Sequence, residues 1–165
     1  GSILELAAGT GILTEQLLAR LPRAVSLIAT DLNAPMLAIA ERRLAGRPVS
    51  WQVADATTLP FDDASVDVVI CQFGWMFFPD KVQALREARR VLRPGGQLLF
   101  SVWGSWEENG FARLVNDTIA GFFPGDPPGF YRVPFSLHDP ALLQALVVEA
   151  GFPAPEITEI ARKRK

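Results

Sequence analysis

The chain has 165 residues, of which 49% are hydrophobic and 21% charged, and its formal net charge is −2. This composition predicts one globular domain with a substantial core, and argues against disorder and against nonspecific nucleic-acid binding. A single cysteine, a single histidine and no apolar run long enough to span a bilayer lead us to expect a cytoplasmic protein without disulfide, zinc site or membrane span.

Strand-like and helix-like segments alternate along the first 103 residues. Short apolar runs predict five strands at 3–6, 25–30, 49–54, 66–71 and 97–103. Leucines and alanines at helical spacing predict the intervening helices, one of which Asn33 caps. Such alternation predicts an α/β fold, a Rossmann-like, doubly wound and mainly parallel sheet with helices on both faces. Ligands of such sheets bind at the carboxyl ends of the strands, near the switch in strand order.

The helix predicted at 82–92 is amphipathic. Its outward side is predicted to consist of charged residues, namely Arg86, Glu87, Arg89 and Arg90. We interpret these four side chains as a solvent-exposed face.

The composition changes after Trp103. Residues 104–136 are rich in glycine, proline and aromatics, and we expect an insertion with one short helix that covers the site. Residues 137–165 are predicted to form a helix capped by Asp139 and then a sixth strand at 156–161. The sequence is therefore predicted to form a single domain over 1–165, with its ligand-binding core at 3–103.

A glycine-containing turn follows the first strand. Gly9 and Gly11 are spaced so that backbone amides can approach a ligand at a helix start, although a tight structural turn explains that spacing equally well. Glu5 lies within an apolar strand and needs a partner, for which we expect a cationic ligand group or the loop amides. Position 14 is Thr14, where the dinucleotide-binding fingerprint has a third glycine, and this departure argues against NAD.

Two further carboxylates end the next two strands. Asp31 follows the second strand, where a carboxylate can accept hydrogen bonds from both hydroxyls of a ribose. Asp55 follows the third strand and could read an adenine edge, although an Asx turn is the better interpretation of Asp55 alone. We expect Glu5, Asp31 and Asp55 to line one crevice.

The ordered set of motifs resembles the class I S-adenosylmethionine-dependent methyltransferases, in particular the branch similar to the ubiquinone/menaquinone-biosynthesis enzymes. The resemblance covers about residues 3–103. Its motifs are Ile3–Gly11, Ala29–Asn33, Ala54–Ala56 with Leu59–Phe61, Phe73–Asp80 and Arg86–Gly96.

The resemblance implies S-adenosyl-L-methionine as cofactor and a role for individual positions. Ala7, Gly9 and Gly11 would hold the methionine end with Glu5 nearby, and Gln72 would also touch that end. Asp31 would bind the ribose and Leu32 the adenine face, while Asp55 and Ala56 would read the adenine edge. A wall facing the methyl acceptor would consist of Phe73, Trp75 and Phe77.

The implied reaction is methyl transfer to a small molecule by in-line displacement, which needs alignment more than acid–base catalysis, so no catalytic residue is assigned.

The family also has helices before the first strand and a final strand pair. Because those helices are missing here and residues 154–165 supply at most one strand of that pair, we expect a domain truncated at one or both ends, with an exposed sheet edge that permits self-association. The alternatives are an NAD-type oxidoreductase on a similar fold and a non-catalytic domain that binds a cofactor or a partner.

Overall fold

A computed structural model describes residues 1–123, 125 and 128–161. Within these residues, five strands form one parallel sheet in the order β3-β2-β1-β4-β5. The strands are β1 (Ser2–Leu6), β2 (Ser26–Asp31), β3 (Ser50–Val53), β4 (Val66–Gln72) and β5 (Leu92–Ser101). The strand order reverses between β1 and β4, as a doubly wound sheet requires, so the predicted fold class is confirmed.

Five α-helices connect or follow these strands in the described residues. They are α1 (Ile12–Arg20), α2 (Ala34–Arg43), α3 (Lys81–Val91), α4 (Gly110–Ala120) and α5 (Pro140–Glu149). The predicted caps are confirmed, since Asn33 accepts a hydrogen bond from the Met36 amide at 3.1 Å and Asp139 accepts one from the Ala141 amide at 2.8 Å. These side chains satisfy amides that a helix start leaves without a partner.

Helices lie on both faces of the sheet. Leu4, Leu6 and Val69 face the larger core, where they pack among the buried residues of α3 and α5. The opposite face carries Glu5 beside α1, and Ala29 packs there against Leu37 of α2. Because side chains alternate along a strand, the buried carboxylate of Glu5 lies on the α1 side of the sheet, away from the larger core.

The last predicted strand is wrong in the described residues. Residues 156–161 form neither helix nor strand, and Ile157 and Ile160 are 41% and 77% exposed. β-Branched residues indicate that a segment can pair, but pairing also needs a neighbouring strand, which this segment does not find among the described residues. Residues 162–165, the end of the predicted C-terminal segment, lie outside the described residues.

The start of the fifth strand also differs from its prediction. β5 begins at Leu92, opposite Val66, and continues at Gln97, opposite Val68, with an irregularity between the two pairs. Gly95 and Gly96, which precede the predicted strand at 97–103, therefore lie inside the observed strand. A β-carbon at Gly96 would lie 2.9 Å from the Asp67 carbonyl oxygen, so the close approach of these strands explains the glycine.

Part of the segment between β5 and α5 packs beside the turn that follows β4. A 3₁₀ helix at 129–135 contacts the 3₁₀ turn at 75–77, and Trp106 meets Phe135 edge-on at 5.3 Å between ring centroids. The segment contains the predicted helix, α4, and it carries exposed aromatics such as Phe111 and Phe122.

None of the described helices is long and apolar enough to cross a bilayer. β3 and β5 are the two edges of the described sheet, and self-association through either edge stays a prediction.

Candidate functional site

The glycine turn connects β1 to α1 with a left-handed backbone at both glycines. Gly9 has φ of 57° and Gly11 has φ of 80°. A β-carbon at Gly11 would lie 3.0 Å from the β-carbon of Ala40, so the start of α1 approaches α2 closely. Both conformation and packing therefore require glycine at position 11. At the other glycine of the turn, the Gly9 amide donates a 2.8 Å hydrogen bond to Oδ2 of Asp31. This bond joins the turn to the end of β2.

Asp31 uses each carboxylate oxygen once within the described residues. Oδ2 accepts from Gly9, and Oδ1 accepts a 2.8 Å hydrogen bond from the Asn33 amide. A carboxylate oxygen has two acceptor positions, so one position on each oxygen is left. The next residue, Leu32, is an apolar side chain that is 68% exposed. A pair of acceptor positions beside an uncovered apolar surface suits a ribose and the base attached to it.

Glu5 is buried, with 1% of its surface exposed. Its partner is Thr14, the residue at which the chain departs from the dinucleotide-binding fingerprint. The Thr14 hydroxyl donates a 2.7 Å hydrogen bond to Oε2 of Glu5. Of the two expected partners, the loop amides are not the one that Glu5 finds in the described residues, where the Gly9 amide donates to Asp31. A contact of Glu5 with a cationic ligand group stays a prediction. Burial, and to a smaller extent the charge of Asp31, raises the pKa of Glu5 to about 7, although the Thr14 bond opposes the shift.

Asp55 forms the Asx turn that the sequence suggested for it alone. Its Oδ1 accepts hydrogen bonds from the Thr57 amide at 2.8 Å and from the Thr57 hydroxyl at 2.7 Å. These bonds lower the pKa of Asp55, so the side chain is ionised at neutral pH. Oδ2 receives no hydrogen bond from the described residues. The turn therefore fixes the direction of the carboxylate while one oxygen stays available, and Ala56 beside it is buried.

The switch point between β1 and β4 has strained backbone on both sides. Ala7 and Phe73, the first residues after these strands, have φ of 53° and 55°. Non-glycine residues avoid this region, and such strain is concentrated at functional sites. Gly74 permits the arrangement, because a β-carbon there would lie 2.4 Å from the β-carbon of Ala7. Gln72, the last residue of β4, is exposed beside them.

Two of the three predicted wall aromatics are accessible. Phe73 stacks on Trp103 with ring centroids 4.0 Å apart and an interplanar angle of 8°. Phe77 is 48% exposed and Trp103 is 42% exposed. Trp75 is only 1% exposed and packs in the larger core, so its prediction as a wall residue is corrected. Trp103 was not singled out in the sequence, although its place two residues after the end of β5 is a signal that could have identified it.

Two residues assigned to an exposed helix face are also corrected. Arg90 and Glu87 bind the loop between β3 and β4, and the side chain of Glu87 is only 13% exposed. Helical periodicity shows which residues share a face, but it does not show that a loop covers part of that face.

A cavity of about 190 Å³ lies at the ends of the central strands, on the side of α1. Its lining residues include Leu13, Gln72 and Ser101, but not Glu5, Asp31 or Asp55. The three carboxylates follow successive positions along the carboxyl edge of the sheet, and they do not line this cavity together. A second link runs along this edge, because the Ala54 amide donates to the Asp31 carbonyl oxygen at 3.1 Å.

Comparisons with known proteins give a consistent assignment. Residues 4–100 match a family described as a methyltransferase domain. A Thermus thermophilus demethylmenaquinone methyltransferase is 35% identical over 162 residues, 91% of this chain and 73% of that protein. A Hahella chejuensis ubiquinone/menaquinone biosynthesis C-methyltransferase is 41% identical over 102 residues, 59% of this chain and 41% of that protein. The chain thus spans only part of the length of each relative.

Solved structures agree in fold. A Haloferax volcanii protein in complex with a methyltransferase activator superimposes with a TM-score of 0.70 at 22% identity, over 91% of this chain and 60% of that protein. A Thermotoga maritima protein described as a SAM-dependent methyltransferase gives 0.68 at 24% identity, over 93% and 64% respectively.

Proposed function

We propose that this chain, which belongs to the class I S-adenosylmethionine-dependent methyltransferases, binds S-adenosyl-L-methionine along the carboxyl edge of its sheet and transfers the methyl group to a small molecule. The observation that carries the proposal is Asp31. Its two oxygens are oriented by the amides of Gly9 and Asn33, and each keeps one acceptor position. Such a pair can accept hydrogen bonds from two adjacent ribose hydroxyls at once.

The neighbouring residues fit the remaining parts of the cofactor. Leu32 would pack on the adenine, and Asp55 with the backbone at Ala56 would read its edge. The left-handed backbone at Ala7 and the glycine turn would face the methionine end, with Glu5 and Gln72 beside it. Glu5 is a buried carboxylate in the strand that leads into this turn, and its ionised form would favour a cationic group.

The chemistry needs little more than alignment. A sulfonium supplies an already activated methyl group, so the residues of this chain need only orient the two reactants and exclude water. Phe73 and Trp103 form a flat stacked surface at the ends of β4 and β5. We propose that this surface contacts a flat or apolar acceptor. The two curated relatives described above are named for demethylmenaquinone methylation and for ubiquinone/menaquinone biosynthesis, which agrees with an acceptor of that kind.

Thermal unfolding with and without ligand tests the proposal. S-adenosylhomocysteine at one hundred times its dissociation constant is expected to add about 2.7 kcal/mol, or roughly 5–10 °C in Tm for a chain of this length. NADH at the same concentration is expected to leave Tm unchanged. Stabilisation by NADH and not by S-adenosylhomocysteine would overturn the assignment in favour of a dinucleotide site.

Turnover separates an enzyme from a domain that only binds the cofactor. Release of S-adenosylhomocysteine is measured with a demethylated quinol as acceptor, and with a small aliphatic amine as the comparison. We expect product with the quinol only. Binding of the cofactor without product from any acceptor would favour the non-catalytic alternative.

A further inference from the structure

One face of α3 holds the loop that connects β3 to β4. Gln83, Glu87 and Arg90 are spaced by four and three residues, so their side chains leave the helix on the same side. All three form hydrogen bonds to residues 57–63. The proposed adenine-reading residues Asp55 and Ala56 stand at the start of this loop.

Arg90 makes the largest number of these contacts. Its guanidinium donates to the carbonyl oxygen of Leu59 at 2.9 Å, to that of Phe61 at 2.7 Å and to the carboxylate of Asp63 at 2.8 Å. Two backbone carbonyls that are two residues apart are thus bound by one planar group. Arginine can do this because its donors are fixed in a fork, whereas a lysine ammonium is a compact charge.

Glu87 completes the network from the same helix. One oxygen accepts a 2.8 Å hydrogen bond from Nε of Arg90, and the other accepts from Nη2 at 2.8 Å and from the Leu59 amide at 2.7 Å. The bonds from Arg90 hold the pKa of Glu87 below its usual value, and both partners keep their charges at neutral pH. Leu59 is therefore held at its amide by Glu87 and at its carbonyl by Arg90.

The network continues to the proposed adenine-binding residue. The Gln83 side-chain amide donates to the Thr57 carbonyl oxygen at 3.3 Å, and Thr57 donates twice to Oδ1 of Asp55. Hydrogen bonds therefore run from α3 through Thr57 to the carboxylate. Rotation of the loop away from α3 would turn Asp55 with it.

We propose that Arg90 and Glu87 are positioning residues that hold the loop so that Asp55 faces the 6-amino group of adenine, and that they thereby set the preference for a 6-amino purine. This inference rests on the proposed function, since it concerns the same cofactor. Neither side chain contacts the purine. Their effect reaches it through the loop backbone.

The test compares two ligands that differ only at the purine edge. S-adenosylhomocysteine carries a 6-amino group, and S-inosylhomocysteine carries a 6-oxo group, which cannot donate to Asp55. Both dissociation constants are measured by calorimetry for the wild type, Arg90→Lys, Glu87→Gln and the control Arg86→Lys. Arg86 is an exposed α3 residue that, among the described residues, forms an ion pair with Glu149 at 3.8 Å and none with the loop.

We expect the wild type and Arg86→Lys to prefer the adenosine ligand by the same factor. Arg90→Lys should lower that preference roughly tenfold, because a lysine cannot bind two carbonyls and Glu87 together. A role in folding alone would lower the fraction of folded protein and leave the ratio of the two affinities unchanged.

Amide hydrogen exchange supplies a readout that needs no ligand. Arg90→Lys and Glu87→Gln should accelerate exchange at the Leu59 amide, because this amide donates its hydrogen bond to Glu87. The Ala29 amide in the central sheet should keep its wild-type rate. An unchanged affinity ratio in both variants overturns the inference even when the wild type binds S-adenosylhomocysteine well. Absence of binding by the wild type overturns the proposed function itself, which distinguishes the two failures.

Discussion

The hydroxyl of Thr14 lies 2.7 Å from Oε2 of Glu5 and donates a hydrogen bond to it. Both residues are buried, with Thr14 at 0% and Glu5 at 1% exposed. The bond joins the end of β1 to the first turn of α1 across the glycine turn. A third glycine in the dinucleotide-binding fingerprint would stand at position 14, so the departure from that fingerprint also supplies the partner of a buried carboxylate.

Thr14→Val removes this bond and keeps the shape of the side chain. We expect the free energy of unfolding to fall by about 1–3 kcal/mol, because a buried acceptor loses its donor. Urea unfolding measures the change. Thr158→Val is the control, since Thr158 is exposed and its replacement should alter stability by less than about 0.5 kcal/mol. Equal stability of Thr14→Val and the wild type would contradict the role given to the bond.

The raised pKa of Glu5 leads us to expect that the stability of the protein depends on pH. Its pKa is about 7 in the folded protein against an ordinary value of 4.5, so the folded state binds the proton more strongly than the unfolded state. The contribution of this stronger proton binding to the free energy of unfolding is complete below pH 4.5 and is lost as pH rises through 7. Relative to Glu5→Gln, the wild type should lose up to about 3 kcal/mol between these limits. A constant difference between the two proteins from pH 4.5 to 8 would contradict the raised pKa.

Asp31→Asn tests the proposed ribose contact. The amide can accept on one side only, so one ribose hydroxyl loses its acceptor and the affinity for S-adenosylhomocysteine should fall about 10- to 100-fold. Calorimetry on the folded protein gives the value directly. Glu41→Gln, on an exposed position of α2, removes the same charge elsewhere and should bind as the wild type does. Wild-type affinity in Asp31→Asn would remove the ribose assignment.

Gly74→Ala tests the close contact at the switch point. The new β-carbon would lie 2.4 Å from Ala7 and 2.8 Å from Sγ of Cys71, so we expect a loss of about 1–3 kcal/mol in unfolding free energy. At Gly110 a β-carbon would meet nothing within 4 Å, and Gly110→Ala should leave stability unchanged or slightly higher. Similar Tm values for the two variants would show that the strands separate at little cost.

Local patterns predicted most of the secondary structure. The runs at 3–6, 25–30 and 66–71 match β1, β2 and β4 within one residue, and Asn33 and Asp139 cap helices as expected. These features depend on a few consecutive residues, and their physical causes are contained in that short stretch. The prediction of a strand at 156–161 was wrong for the same reason, because a strand also needs a partner that no local pattern contains.

The sequence by itself determined which residues could form the site. It placed Glu5, Asp31 and Asp55 at the ends of successive strands, where a parallel sheet collects its ligand-binding groups. Tertiary structure alone decided how these groups are paired. In the fold, the Gly9 amide donates to Asp31 and the Thr14 hydroxyl donates to Glu5. Trp75 is buried, and Arg90 binds a loop 27 to 31 residues away along the chain. Such pairings follow from distances between elements that are remote in sequence, and periodicity carries no information about those distances.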